Sequence, residues 1–91
     1  MELVDRVALV TGGAIRLGRT IALTLAQHGA NVVITYRTSE QEARDTVQRL
    51  RELGSRAEAI KVDVTQAKDV STMVARIQRQ FGRLDVLVNN A

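Results

Sequence analysis

The residues best suited to chemistry lie in one short turn, Thr11-Gly12-Gly13-Ala14-Ile15-Arg16-Leu17-Gly18-Arg19. It sits between an apolar run and an amphipathic one, the strand–turn–helix setting that phosphate-binding turns require. Glycine permits a tight turn and lets the backbone approach a pyrophosphate without a Cβ in the way. The helix that follows begins with N–H groups lacking intrahelical partners and with a partial positive charge. Gly18 also lets that helix pack closely on the preceding strand. Gly12, Arg16, Leu17 and Gly18 are therefore the candidate phosphate contacts. Arg16, at the helix start, can reach an adenosine phosphate, where a glycine cannot; the plain alternative is a solvated surface arginine.

A second cluster suggests which dinucleotide. A site for a free ribose 2′-hydroxyl normally carries an acid at the end of the second strand. Here that stretch reads Thr35-Tyr36-Arg37-Thr38-Ser39, and the first acid is Glu40. A 2′-phosphate would meet Arg37, the hydroxyls of Thr38 and Ser39, and the positive end of the next helix. Arginine suits phosphate because its planar fork makes two parallel charge-assisted hydrogen bonds. Tyr36, Arg37 and Ser39 thus favour NADP(H) over NAD(H). The alternative for Arg37 is an ordinary loop arginine beside a helix cap.

Other chemistries lack residues. The one histidine, His28, falls at the end of a helix, where it complements the dipole. No His, Asp and Glu group has metal-ligand spacing. There is no cysteine for a disulfide or thiolate site, and no G-x-x-x-x-G-K-[ST] loop.

The elements that must position these clusters follow from two alternating periodicities. Arg6 to Thr11 is a short apolar run, as in a strand buried on both faces. Ile15, Leu17, Ile21, Ala22, Leu25 and Ala26 then recur at helical spacing, with Gly29 as the stop. Asn31 to Tyr36 is a second strand rich in β-branched residues. Ser39 opens a second helix and forms a capping box with Glu42; Ala43, Val47 and Leu50 mark its buried face. Arg56 to Val62 is a third, more charged strand. Thr65 can cap a third helix with an apolar stripe of Val70, Met73, Val74, Ile77 and Phe81. Leu84 to Val88 is a fourth strand. The order β-α-β-α-β-α-β predicts an α/β fold with a parallel sheet. In its dinucleotide-binding version this is the first half of a Rossmann doubly wound sheet, with strands ordered 3-2-1-4. The apolar fourth strand would be a bare edge, which complete proteins usually cover, so further strands are expected to follow.

With 91 residues, the chain has room for one domain, 1–91, expected to be incomplete. Net charge is +3, but the arginines are scattered among acids and there is one tyrosine and one phenylalanine. A nucleic-acid partner is therefore not expected. No run reaches the roughly 18 apolar residues of a membrane span, and the N-terminus has acids where a signal peptide would be basic. A cytoplasmic location is expected, in keeping with the missing thiols.

The first turn resembles the T-G-x-x-x-G-x-G pattern of short-chain dehydrogenases/reductases, with Arg16 in place of the middle glycine. That variant resembles the pteridine reductase branch. The likeness covers essentially the whole chain. It implies that Asp63 and Val64 are the adenine-contacting pair, Asp63 accepting from the amino group and Val64 offering its N–H. It implies too that Asn89-Asn90-Ala91 begins an Asn-Asn-Ala-Gly motif, with Asn90 helping to fix the central strands and the cofactor ribose. Family enzymes transfer a hydride between nicotinamide and a carbonyl or imine-like carbon, using a Ser, a Tyr and a Lys four residues after it. The sole tyrosine here, Tyr36, has Glu40 at that offset, and Ser39, Ser55 and Ser71 all precede the fourth strand. No catalytic residue carries over, and the 91 residues alone are expected to be inactive. A carbonyl or pterin substrate and a homo-oligomer are expectations for a complete enzyme only. The alternatives are a stand-alone, non-catalytic nucleotide-binding module, or another Rossmann-like enzyme such as a methyltransferase. The latter would normally place an acid where Tyr36 and Arg37 stand.

Overall fold

The computed structural model describes residues 2–90. Strands β1 (Val7–Thr11), β2 (Asn31–Tyr36), β3 (Glu58–Lys61) and β4 (Val86–Asn89) alternate with helices α1 (Arg16–Gln27), α2 (Glu40–Glu52) and α3 (Ala67–Phe81). The strands form one parallel sheet in the order β3-β2-β1-β4, as the sequence predicts. All five residues of β1 are buried, as expected of a strand with neighbours on both edges and helices on both faces.

The strands alternate between two cores. Val10, Val32 and Ile34 pack with Ala22 and Ala26 of α1 and with Ala43, Val47 and Leu50 of α2. Val7, Leu9, Val33, Ile60 and Val62 pack on the other face with Met73 and Ile77 of α3. Each helix ends before a glycine in the left-handed region: Gly29 at φ 96°, Gly54 at 93° and Gly82 at 76°.

Several local details differ from the sequence reading. In α1 the buried stripe is Gly18, Ala22 and Ala26, one residue per turn, and Leu17 is 65% exposed. Close approach to the sheet selects the smallest face of the helix, and Leu17, about 100° around the axis, swings out. The capping box does not form. Ser39 precedes α2 but its hydroxyl makes no cap bond; charge complements the dipole instead, with Glu40 and Glu42 in the first turn and Arg49 and Arg51 in the last. Thr65 does not cap α3, because its hydroxyl is drawn to Asp63 Oδ1 at 2.6 Å, and α3 begins after Gln66. Val74 is exposed rather than part of the α3 stripe.

β3 is shorter than expected at its start, because Arg56 N–H donates to the Asn31 side chain instead of a strand. β4 starts later because Asp85 takes over the ladder. Its N–H donates to Val7 O, and its carboxylate accepts from Val7 N–H at 2.9 Å. The same carboxylate accepts from Arg83 Nε at 2.7 Å and Nη2 at 2.8 Å, with Arg6 at 3.6 Å. The Arg83 hydrogen bonds, then that of the Val7 amide, hold the Asp85 carboxyl down at about 2. A lowered folded-state pKa stabilises the fold above the unfolded carboxylate value, near 3.8, and that stability drains as pH falls towards 2. Asp85→Asn should therefore lower the urea midpoint at pH 7. Its deficit relative to wild type should shrink as the pH is taken from 4 to 2. A deficit constant across that window would mean that the charge of Asp85 does not matter.

Candidate nucleotide site

The site forms where chain order reverses. β1 is flanked by β2 on one side and β4 on the other, which opens a crevice at the carboxyl ends of the strands. The turn after β1 lies there. Gly12 takes φ 66°, and its N–H donates to Thr35 Oγ1 at 3.2 Å; Gly13 N–H donates to Thr35 O at 3.2 Å. These two amides anchor the turn to β2. Beyond the turn, the amides of Arg16, Leu17 and Gly18 donate to no other described residue. They form an unsatisfied group of donors at the start of α1, the feature that suits an anion.

Gly18 and Asn90 close this turn from the other side. Asn90 Nδ2 donates to Gly12 O at 3.3 Å, and Asn90 N–H donates to Thr11 Oγ1 at 2.9 Å. Thr11 Oγ1 also lies 3.2 Å from Asn89 Oδ1. The ends of β1 and β4 are thus tied together directly under the turn. A Cβ at Gly18 would run into Gly12 O and come within 2.6 Å of Asn90 Nδ2.

Arg16 is exposed and takes φ 53°, and its guanidinium pairs with no described residue. The left-handed region costs a non-glycine residue roughly 1–2 kcal/mol. A strained arginine with an uncommitted head, at the mouth of a donor-rich turn, is the arrangement expected where strain serves a site. Arg16→Gly should raise stability by up to about 1 kcal/mol, since glycine's own entropy offsets part of the relief. It should at the same time weaken binding of a diphosphate ligand. Thermal melts alongside ligand titrations check the pair of effects, and a substitution that lowers both quantities would contradict it.

The second cluster lines a cleft of about 270 Å³ at the ends of β2 and β3. Its walls are Gly12, Thr35, Tyr36, Arg37, Val62, Asp63, Val64 and Thr65. Val62 N–H donates to Tyr36 O, which carries the ladder past β3 and sets Asp63 and Val64 at the rim. Asp63 Oδ1 accepts from Thr65 N–H at 3.0 Å and from the Thr65 hydroxyl. Its Oδ2 lies 3.7 Å from Arg37 Nη2. The Thr65 bonds, with a smaller contribution from Arg37, hold the Asp63 carboxyl below the usual range, so it is an acceptor. Arg37 is 73% exposed and Val64 45% exposed. Ser39 lies just beyond, ahead of α2.

The predicted residues therefore form two groups that share Gly12. Arg16, Leu17, Gly18 and Asn90 surround the turn, and Tyr36, Arg37, Asp63 and Val64 surround the cleft. Ala91 lies outside the described residues. Sequence reasoning passed over Thr11, Thr35 and Asn89, which hold the turn without being aimed at a ligand. A larger groove of about 740 Å³ lies between α2 and β3, lined by Arg44, Arg51 and Glu58 among others. Its charged side chains are all in ion pairs, Arg51 with Glu58 at 3.7 Å, Arg44 with Glu40 and Glu52 with Arg49, and it is away from the crevice. Among the described residues, no group of three His, Cys, Asp or Glu side chains could hold a metal ion. No helix among them is long and apolar enough to cross a membrane.

Comparison with known proteins gives this geometry its context. The short chain dehydrogenase family profile matches residues 6–91. The chain is 44% identical over 90 residues to the hydroxynaphthalene reductase-like protein Arp2 of Metarhizium robertsii, covering 99% of the chain and 34% of that protein. It thus spans about a third of the length of that relative. It is 40% identical over 91 residues to the short-chain dehydrogenase/reductase homolog YusS of Bacillus subtilis, covering all of the chain and 84% of YusS. A crystal structure of a short chain dehydrogenase from Burkholderia cenocepacia in complex with NADP superposes with a TM-score of 0.94 at 44% identity, over the whole chain and 37% of the other. A match over residues 6–91, on a Rossmann sheet of the expected strand order, places this chain in the short-chain dehydrogenase family.

Proposed function

We propose that these residues are the cofactor-binding part of an NADP(H)-dependent short-chain oxidoreductase. The observation that carries this reading is the pairing of three free amides, those of Arg16 to Gly18, with an acid-free β2 end that presents Arg37. The pyrophosphate would take the amides of Arg16 to Gly18 and the Arg16 guanidinium. The adenine would lie in the cleft, against Asp63 and Val64, and the 2′-phosphate would meet Arg37 and the Ser39 hydroxyl, with Tyr36 beside it. Asn90 would stand near the nicotinamide ribose. A bound NADP(H) supplies hydride chemistry; the residues here bind and orient it. The Burkholderia relative was crystallised with NADP, which agrees with this choice of cofactor.

The complete enzyme would reduce a small carbonyl or pterin compound in the cytoplasm, with its catalytic Ser, Tyr and Lys outside this sequence, and would form a homo-oligomer. Arg16 in the turn favours the pteridine-reductase-like branch. One observation favours a second reading, a non-catalytic nucleotide-binding module: YusS, of which the chain covers 84%, is a relative of similar length. Both readings require cofactor binding. Calorimetric titration of the purified chain with NADPH and NADH tests it, with NADPH expected to bind at least about tenfold more tightly, a difference of about 1.4 kcal/mol. Equal affinities would remove the 2′-phosphate assignment, and no heat with either would remove the reading itself.

A further inference from the structure

Thr46 stands out on the buried face of α2. That face is otherwise Ala43, Val47 and Leu50, and Thr46 is itself 0% exposed. A buried hydroxyl is costly unless bonded, and mid-helix threonine usually bonds the carbonyl one turn back. Thr46 instead reaches out of its helix. Its hydroxyl donates to Ala14 O at 2.8 Å and accepts from Arg19 Nη1 at 2.7 Å. A linear relay, Arg19 to Thr46 to Ala14, thus joins α1, α2 and the glycine turn.

We propose that Thr46 is a positioning residue for the pyrophosphate: its buried hydroxyl fixes the Ala14–Ile15 peptide, and with it the turn that leads into the free amides of Arg16 to Gly18. The inference rests on the cofactor reading above. Its physical basis is the planarity of the peptide. In a trans peptide the C=O and N–H point in opposite directions. Holding the Ala14 carbonyl towards α2 therefore turns the Ile15 N–H away from α2. Without the brace, the peptide is free to rotate and can present its carbonyl, a repulsive dipole, to a phosphate. Arg19 strengthens the brace, since a charged donor polarises the hydroxyl and shortens its outgoing bond. It pairs with no carboxylate among the described residues, so its charge remains beneath the turn.

The test uses two ligands. NADPH carries the pyrophosphate; adenosine 2′-monophosphate carries the adenine, ribose and 2′-phosphate without it. Thr46→Val keeps the shape and removes the hydroxyl. It should weaken NADPH binding about tenfold, as loss of a buried hydrogen bond does, and leave adenosine 2′-monophosphate within about twofold of wild type. Thr46→Ser, which keeps the hydroxyl, should hold NADPH affinity within about threefold. Unchanged NADPH affinity in Thr46→Val, or equal losses for the two ligands, would overturn the proposal. If Thr46→Val does not fold, Arg19→Met decides: NADPH about threefold weaker with adenosine 2′-monophosphate unchanged supports the relay, and unchanged NADPH overturns it. A wild-type chain that binds no NADPH overturns the cofactor reading and this inference with it; a wild-type chain that binds while Thr46→Val matches it overturns the inference alone.

Discussion

Gly18→Ala is expected to cost about 3 kcal/mol of stability and to abolish dinucleotide binding. In an ordinary helix interior the same change gains up to about 1 kcal/mol, because alanine is the better helix former. At Gly18 the sign reverses. The new methyl would collide with Gly12 O and crowd Asn90 Nδ2 and the Gly12 carbonyl carbon, at 2.6 and 2.8 Å. Backbone cannot rotate aside as a long side chain can, so either α1 lifts from β1 or the turn opens. Both movements break the Asn90–Gly12 bond and displace the amides of the turn. Gly54→Ala supplies the contrast. Gly54 has φ +93° and open space around its Cβ position, so only the backbone penalty applies, roughly 1–2 kcal/mol, and binding should survive. Urea unfolding and NADPH titration of the two variants separate close packing from backbone strain. Equal effects of the two variants would mean that α1 does not depend on close approach at Gly18.

Arg37→Asp is expected to lower NADPH affinity about 100-fold relative to NADH. Loss of charge-assisted hydrogen bonds to a phosphate removes about 1.5–3 kcal/mol, and the introduced carboxylate adds repulsion. The fold should hardly notice. Arg37 is largely exposed, and its 3.7 Å pair with Asp63 is the kind of surface ion pair that contributes little. The two carboxylates left side by side would also favour a ribose hydroxyl, which can donate to them. An unchanged ratio of NADPH to NADH affinity would mean that Arg37 faces solvent and that the 2′-phosphate, if bound, is held elsewhere.

These two residues illustrate what was legible beforehand. Gly18 and Arg37 stand out in the sequence because a turn's geometry and a phosphate's charge each demand a residue type at a set place in a strand–helix alternation. Strand order was legible for a similar reason: right-handed crossovers leave few ways to stack three β-α units. Details decided by competition between partners were not legible. Ser39 and Glu42 spell a capping box, yet the loop after β2 carries Ser39 at ψ 58°, and no cap bond forms. Thr65 looks like a cap, yet Asp63, two residues back, takes its hydroxyl. Leu17 fits the apolar period, but the close approach at Gly18 rotates it outward. Thr46 gave no signal, because a lone threonine in a helix says nothing of a carbonyl 32 positions away that it will bond.

The central claim is that the turn after β1 and the cleft at the ends of β2 and β3 together hold NADP(H). Amide chemical shifts of the ¹⁵N-labelled chain, followed during NADPH titration, test it most directly. The account predicts shifts concentrated at Gly12 to Gly18, Tyr36 to Ser39, Asp63, Val64 and Asn90. Shifts centred instead on Arg44, Arg51 and Glu58 in the groove between α2 and β3, or no shifts at saturating NADPH, would contradict it.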